Sequence, residues 1–200
     1  MRNAAIKQLF NLAEHDKNII LLTGDLGYGV LDEFANRLPD QFINVGISEQ
    51  NMTSIAAGMA LEGKTVFTYS IANFPTLRCL EQIRNDVAYH NANVNIIAVG
   101  CGLSYGSLGM SHQATEDIAV MRSLPNISLF APGDLSEAEW AIRAAHKEKS
   151  PCYIRLGKGG ESRIHPQGKE FYIGKALQII RGGKLCIFST GGILDEACKT

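Results

Sequence analysis

The chain has 200 residues, of which 46% are hydrophobic and 20% charged, and its net charge is −1. This composition is that of an ordinary globular protein, and the length is sufficient to bury one complete core. The near-zero charge gives no electrostatic reason to expect nucleic acid or an anionic membrane as a partner. No run approaches the roughly 18 apolar residues of a membrane span, and the charged N-terminal residues do not resemble a signal peptide.

Five cysteines are present, which is an odd number, and no two of them form a CxxC pair. Cys101, Cys152 and Cys186 lie in apolar runs, which is typical of buried free thiols rather than of disulfides or metal ligands. We therefore expect a protein of the reducing cytoplasm, without a metal site of its own.

Short apolar runs alternate with helical patterns along most of the chain. The predicted strands are residues 19–23, 42–45, 65–69, 94–99, 127–131 and 152–156. Apolar spacings of three and four residues predict helices over residues 30–38, 48–62, 76–90, 116–124 and 135–147. This alternation predicts an α/β fold, a mostly parallel sheet with helices on both faces.

Ligands of such sheets bind beside the carboxyl ends of the strands. The longest segment that follows a predicted strand is GCGLSYGSLGMSHQ, residues 100–113. It is too long for a tight turn and rich in glycine and serine, so we interpret it as a functional loop.

The composition changes after residue 160. Residues 161–170 are polar and predict a linker that follows a first domain, residues 1–160. Residues 171–200 contain one more predicted strand, within KLCIFSTGG, and a helix that begins at Leu194. One strand and one helix cannot bury a core by themselves, so we expect residues 171–200 to be the incomplete start of a further α/β domain.

Glu49 stands where a predicted strand ends and a predicted helix begins, in GISEQNM. Position alone favours a structural role, because a helix N-terminus stabilises a carboxylate by roughly 0.3–1 kcal/mol. The sequence around Glu49 favours a different interpretation.

Four motifs occur in order. They are INVGISEQNMTSIAAGMALEGKTVFTYS, LRCLEQIRNDVA, GMSHQATEDIAVMRSLPNISLFAPGD and PCYIRLGKGG. Over residues 18–160 the chain resembles the pyrimidine-binding domain of the transketolase family, as in the C-terminal section of a split transketolase. Deoxyxylulose-phosphate synthases and the β subunits of 2-oxoacid dehydrogenases are related to it. The tail, with IGKALQII and STGG, resembles the start of the family's C-terminal domain.

The resemblance implies that thiamine diphosphate is the cofactor and that Glu49 is catalytic. In the family, a glutamate at this position hydrogen-bonds N1′ of the aminopyrimidine, so that the ring's own 4′ nitrogen can remove a proton from the thiazolium. A carboxyl that shares a proton with N1′ is suited to this relay.

The resemblance also suggests further site residues. Phe74, and less directly Tyr69, would form the aromatic slot for the pyrimidine, although either ring could equally serve core packing. His112, in SHQ, matches a histidine near the reacting centre that contacts substrate. Arg78 would contact substrate or an interface, unless it is only a solvated helix residue, and Asp25 would lie near the cofactor.

Two positions depart from transketolases. Leu108 stands where transketolases have an aspartate that recognises a hydroxyl of the donor substrate. The arginine that recognises the substrate phosphate after the last strand is also absent, and Gly157 and Lys158 stand there instead. Lys158 could bind an anion beside the flexible amides of GKGG, or the segment could be a plain turn. The substrate therefore need not be a standard ketose phosphate.

The motif that holds the diphosphate and its Mg²⁺ in the family, GDG with a downstream asparagine, is absent. Gly24-Asp25 followed by Asn51 imitates its spacing, but the third glycine is missing and the span contains the Glu49 motif itself. Mg²⁺ prefers several oxygen ligands together. We therefore expect a separate partner subunit to hold the metal and the diphosphate, within a homo- or hetero-oligomer.

The sequence thus predicts the pyrimidine-binding half of a transketolase-like transferase, which moves a two-carbon ketol unit between sugars or sugar phosphates. A β subunit of a 2-oxoacid dehydrogenase-type complex remains an alternative, as does a non-catalytic subunit that only binds a partner. A nucleotide-binding domain of the GxGxxG type is disfavoured, because the first strand is followed by GDLGYG.

Overall fold

The computed structural model describes all 200 residues. The six strands are β1 (Ile19–Thr23), β2 (Phe42–Asn44), β3 (Thr65–Ile71), β4 (Val94–Val99), β5 (Ser128–Phe130) and β6 (Cys152–Leu156). The helices are α1 (Arg2–Ala13), α2 (Asp32–Arg37), α3 (Glu49–Leu61), α4 (Leu80–Gln82), α5 (Asp117–Met121), α6 (Leu135–Glu148) and α7 (Leu194–Lys199).

The strands form one sheet in the order β2-β1-β3-β4-β6-β5, and every neighbouring pair is parallel. The prediction of a mostly parallel α/β sheet is therefore confirmed. Because all strands run in one direction, their carboxyl ends lie along one side of the sheet, and the loops that leave them are brought together there.

Both faces of the sheet are buried. Successive residues of β1 point to opposite sides, so that Ile19 and Leu21 enter one core cluster while Ile20 and Leu22 enter the other. Helices α1, α2 and α6 cover the first face, and α3, α5 and the helical segment after β3 cover the second. This arrangement explains why the strands read as continuous apolar runs rather than as alternating ones.

Helix α1 was not predicted from the sequence. Its buried side chains recur at helical spacing and include Ala5, Ile6, Leu9 and Ala13. They pack in the same cluster as Ala138 and the other buried residues of α6. The apolar stripe is present in the sequence, but interspersed lysine, asparagine and glutamine residues obscure it.

The single helix predicted over residues 76–90 is wrong in detail. A 3₁₀ turn (Leu77–Cys79) leads into α4, which is followed by a π-helical segment, Ile83–Ala88. Ile83 and Val87 are nevertheless fully buried, as their spacing predicted. Wide π turns of this kind occur mostly near functional sites in proteins.

The end of the chain contains little regular structure. Helix α7 begins at Leu194, as predicted, but no strand forms within KLCIFSTGG, since no neighbouring strand pairs with it. Apolar side chains there are exposed, including Leu185 at 87% and Phe188 at 85%. No helix in the structure combines the length and the apolar character that crossing a membrane would require.

Candidate functional site

Glu49 is the first residue of α3 and is only 2% exposed. The chain enters the helix from β2 through a tight turn at Gly46, whose φ is +74°, and the amide of Ser48 donates to the Gly46 carbonyl at 2.8 Å. Gly24, just after β1, lies against this carboxylate, since a Cβ there would be in ordinary van der Waals contact with Cδ of Glu49, at 3.5 Å. The fold therefore buries an acid at the carboxyl side of the sheet, at a helix N-terminus that favours its negative charge.

Arg78 is the partner of this buried acid. Its Nη1 donates to Oε2 of Glu49 at 3.2 Å, while its own side chain remains half-exposed. The other carboxylate oxygen, Oε1, accepts no hydrogen bond from the chain. Arg78 thus holds one oxygen of Glu49, and the second oxygen is left for a ligand.

Phe74 and His112 lie in the next two loops and touch each other. Their ring centroids are 5.2 Å apart in an edge-on arrangement, and the guanidinium carbon of Arg78 lies 5.0 Å from the Phe74 ring centroid. A hydrogen bond of 2.9 Å from the Asn73 side chain to the Ser111 carbonyl fastens the two loops together. The structure therefore links the predicted residues Phe74, Arg78 and His112 in successive contacts that begin at Glu49.

Tyr105 extends this row and was missed by the sequence analysis. Its ring centroid lies 5.7 Å from that of His112, and Nζ of Lys158 lies 4.7 Å above the ring. Gly100, with φ of +76°, makes room for the ring, because a Cβ there would approach Tyr105 Cδ2 to 2.8 Å. The many glycines of this loop were visible in the sequence, but nothing in it indicated which side chain they accommodate.

Six side chains from four loops consequently form one continuous row. In order of contact they are Glu49, Arg78, Phe74, His112, Tyr105 and Lys158. The row runs from a buried acid through aromatic rings to an exposed cation. Such an arrangement is able to hold a flat heteroaromatic group at one end and an anion at the other.

Two other predicted residues lie outside this row. Tyr69 is 3% exposed in β3, where its ring packs beside Gly27, and burial raises the pKa of its hydroxyl to about 12. Asp25 is exposed in the turn after β1, with φ of +57°. Hydrogen bonds from Asn44, and then from Tyr28, lower the pKa of Asp25.

One amide of the GKGG segment is already engaged within the chain. The Gly159 amide donates to Oε1 of Glu161 at 3.1 Å, so a carboxylate of the chain itself already occupies that donor. The ammonium of Lys158 is directed to Tyr105 instead, and Lys158 is exposed. An anion bound here would therefore find the Gly159 amide already engaged, while the Lys158 side chain is exposed.

A buried network supports the base of the loop that carries His112. Oδ2 of Asp117 accepts from the Tyr153 hydroxyl at 3.0 Å and from Nε of Arg155 at 2.8 Å. Asp117 is 1% exposed, and Gly102 and Ala114 pair across the neck of the loop through two backbone hydrogen bonds. Because charge-assisted bonds of this kind are strong, the loop has a fixed base despite its glycine content.

A parallel sheet covered on both faces, with an acid, an arginine, a histidine and aromatic rings gathered at its strand ends, defines an α/β ligand-binding domain. Residues 1–160 match the family described as "Transketolase, pyrimidine binding domain", and the chain belongs to this family. The resemblance found in the sequence is thereby confirmed.

Three relatives illustrate the similarity. A "Putative transketolase C-terminal section" from Methanocaldococcus jannaschii is 38% identical over the whole chain. One subunit of an apulose-4-phosphate transketolase from Phocaeicola vulgatus is 36% identical over 98% of it. A solved structure, "Split gene transketolase, inactive beta4 tetramer", superposes with a TM-score of 0.90 at 34% identity over 99% of the chain. The chain spans 64% of the length of each of these three proteins.

Proposed function

We propose that this chain is the pyrimidine-binding half of a thiamine-diphosphate-dependent transketolase-type transferase. The enzyme would move a two-carbon ketol unit between sugars or sugar phosphates, with Glu49 as the residue that activates the cofactor. The observation that carries the proposal is the buried carboxylate of Glu49, which has one oxygen held by Arg78 and the other without a hydrogen bond.

The residues around Glu49 fit an aminopyrimidine. A ring nitrogen that carries or shares a proton would donate to the free Oε1 of Glu49, while the half-buried Phe74 ring offers an apolar face beside it. Thiamine diphosphate, when bound, supplies the carbanion chemistry that breaks and forms the bond next to a carbonyl group. Glu49 would hold the proton at the pyrimidine end, and Phe74 would orient the ring and exclude water. Tyr69, buried in β3, is the weaker candidate for this stacking role.

Substrate recognition is assigned to His112, Arg78 and Lys158. His112, whose Nδ1 lies 2.9 Å from the Ser111 hydroxyl, would hold or move a proton at a substrate hydroxyl. Arg78 and the exposed Lys158 would contact the polar or anionic groups of the sugar. Asp25 would lie near the cofactor, next to the Gly24 position that borders Glu49.

A second polypeptide would complete the site by holding the diphosphate and Mg²⁺. Asp25 already accepts hydrogen bonds from Asn44 and Tyr28, and Glu49 is assigned to the pyrimidine ring, so these two carboxylates do not offer a set of ligands for Mg²⁺. The relatives support a divided enzyme, since one is named as a single subunit of a transketolase and another as a split-gene transketolase that is inactive as a β4 tetramer. Exposed Ile47, at 79%, and Met110, at 74%, lie in the loops around the site and suit burial against that partner.

We further propose that residues 1–160 form the pyrimidine-binding domain, that 161–170 are a linker and that 171–200 begin a further α/β domain. The exposed apolar side chains of the last segment, such as Leu185 and Phe188, suit burial in a larger unit. The five cysteines are all free; Cys79, Cys101 and Cys152 are buried, whereas Cys186, which the sequence predicted to be buried, is exposed. Free thiols suit a reducing cytoplasm.

Reconstitution tests the proposal directly. The chain is mixed with a candidate partner that carries GDG and a downstream asparagine, and ketol transfer is measured with thiamine diphosphate and Mg²⁺. We expect activity only from the mixture. Glu49→Gln should lower kcat by at least about 100-fold, the lower end of what a positioned acid or base contributes. The matched control is Glu62→Gln, which changes an exposed carboxylate at the other end of α3 and should leave kcat unchanged.

Three outcomes would contradict the proposal. Turnover by the purified chain alone would show that no partner is needed. An unchanged rate in the Glu49→Gln complex would favour a non-catalytic subunit that only binds its partner. If the complex instead accepted lipoamide and no aldose, the enzyme would be of the 2-oxoacid dehydrogenase type.

A further inference from the structure

A second cluster of polar side chains lies at the far edge of the sheet. Asp134 is the N-cap of α6 and is fully buried. Its Oδ1 accepts from the Glu137 amide at 2.7 Å, and its Oδ2 accepts from the amides of Ile164 and His165 at 2.8 and 2.7 Å. These bonds fix the carboxylate and fasten the segment after β6 to the start of α6.

The imidazole side chain of His165 points into this cluster and makes no hydrogen bond. Its side chain is 6% exposed, and neither ring nitrogen has a hydrogen-bond partner. Nδ1 lies 3.2 Å from Oδ2 of Asp134 and 3.6 Å from Oε1 of Glu137, while the ring packs edge-on against Phe171 with centroids 5.0 Å apart. Buried polar groups are nearly always paired, so a buried imidazole with both nitrogens unpaired requires an explanation.

We propose that Asp134, Glu137 and His165 form a binding site for a divalent transition-metal ion of the zinc class. Zinc bonds to nitrogen and to carboxylate oxygen are about 2.0–2.2 Å long, so tetrahedral ligands lie about 3.3 Å from one another. The separations of 3.2 and 3.6 Å between Nδ1 and the two carboxylate oxygens match this geometry. All three ligand atoms lie within 4.8 Å of one another.

The surroundings of the cluster suit a cation. Oε2 of Glu137 accepts from the Gly133 amide at 2.7 Å, which leaves Oε1 directed towards the imidazole. Metal ligands are usually held by such second contacts, and here both carboxylates have them. Burial, with a further contribution from the charge of Asp134, raises the pKa of Glu137. A bound divalent cation would offset the repulsion between the two acids.

An imidazole ligand favours zinc, copper or nickel over the hard ions Mg²⁺ and Ca²⁺, which prefer oxygen alone. Three protein ligands leave one coordination position for water. The function of the ion would be structural, since it would join the start of α6 to the segment that contains His165. Arg163 of that segment also pairs with Glu139 of α6, at 2.6 Å.

The proposed metal site is separate from the site around Glu49. Asp134 follows the edge strand β5, and Glu49 follows β2 at the opposite edge of the six-stranded sheet. Five spacings of about 4.8 Å separate these two strands, which is on the order of 24 Å. The metal proposal therefore does not depend on the proposed enzymatic function, and each can fail without the other.

Calorimetric titration tests the metal site. The full chain is stripped with a chelator, desalted and titrated with Zn²⁺ in the presence of a reductant that does not bind metal. We expect one high-affinity ion per chain. His165→Asn should weaken Zn²⁺ binding by at least about tenfold. Changes to residues that only support a metal ligand already weaken binding by about that factor. His90→Asn is the matched control, because His90 is exposed and lies outside the cluster.

A second variant and a second ion guard against misfolding and against binding by cysteine. Glu137→Gln retains an oxygen for the Gly133 amide but weakens the metal ligand, so it should lower affinity in a chain whose circular dichroism is unchanged. Co²⁺ bound to the site should show visible absorption of a nitrogen and oxygen ligand set, without a thiolate band. The proposal is overturned if Zn²⁺ fails to bind, if both cluster variants bind it as tightly as the control, or if a thiolate band appears.

Discussion

The contact between Gly100 and Tyr105 supports a quantitative prediction about the loop that carries His112. In Gly100→Ala the new Cβ would approach Tyr105 Cδ2 to 2.8 Å, which forces the half-buried ring out of its place. The backbone φ of +76° would add about 1–2 kcal/mol for any residue with a Cβ. Displacing Tyr105 removes its contact with His112, about 0.5–1.5 kcal/mol, and that with Lys158, about 0.5–1 kcal/mol.

The sum predicts that Gly100→Ala lowers the free energy of unfolding by about 2–4.5 kcal/mol, measured by urea denaturation of the full chain. Gly106→Ala in the same loop is the control, because Gly106 has φ of +50° but nothing within 4 Å of a new Cβ. In Gly106→Ala the free energy of unfolding should fall by only about 1–2 kcal/mol, the cost of holding a residue with a Cβ at positive φ. The difference between the two variants isolates the displacement of Tyr105.

A double variant identifies Tyr105 as the group that is displaced. If the ring is already removed by Tyr105→Ala, Gly100→Ala should cost only about 1–2 kcal/mol more, as Gly106→Ala does. Equal losses in the two glycine variants, or an undiminished effect of Gly100→Ala in the Tyr105→Ala background, would refute this account of the loop.

Two further predictions concern buried charges. Arg155→Met should lower the free energy of unfolding by about 3–5 kcal/mol, because it leaves Asp117 buried without its cation; a loss below about 1 kcal/mol in urea denaturation would contradict this. Burial raises the pKa of Glu137 in the folded chain above its ordinary value of 4.5. Protonation of Glu137 therefore stabilises the fold fully at a pH below 4.5, and this contribution is lost as the pH rises through the pKa that Glu137 has in the folded chain. With a chelator present, the free energy of unfolding should fall less steeply from pH 4 upward in Glu137→Gln than in the unaltered chain. Equal slopes in the two chains would contradict this prediction.

The sheet and the position of Glu49 follow from patterns that are local in the sequence. Each strand is a short apolar run, and most runs are followed by a segment whose apolar residues recur at helical spacing. This alternation of strands and helices predicts a parallel α/β sheet. The place of Glu49 between a strand and a helix follows from two well-marked elements, but its catalytic role was named only from the family resemblance. Arg78, Phe74 and His112 were named from the family resemblance, and the structure places all three in contact.

The remaining features depend on contacts between distant segments. Tyr105 acquires its place only when Gly100 turns beneath it and Lys158 arrives from the end of β6, and neither event leaves a trace near Tyr105 in the sequence. The hydrogen bond from the Gly159 amide to Glu161 is likewise apparent only from the folded chain. The strand predicted in KLCIFSTGG did not form, because local propensity cannot supply a neighbouring strand.

The row of side chains from Glu49 to Lys158 has a consequence for how the protein folds. It depends on contacts between residues far apart in the chain: Glu49 and Arg78 are 29 positions apart, and the bond from Asn73 to Ser111, which fastens the loops of Phe74 and His112, spans 38 positions. Contacts of high sequence separation form slowly, because long loops must close before any of them stabilises the fold. The row therefore assembles only after β2, β3, β4 and β6 have joined the sheet. A chain that has not completed its sheet would lack this row, so the proposed ability to bind a cofactor would be acquired together with complete folding.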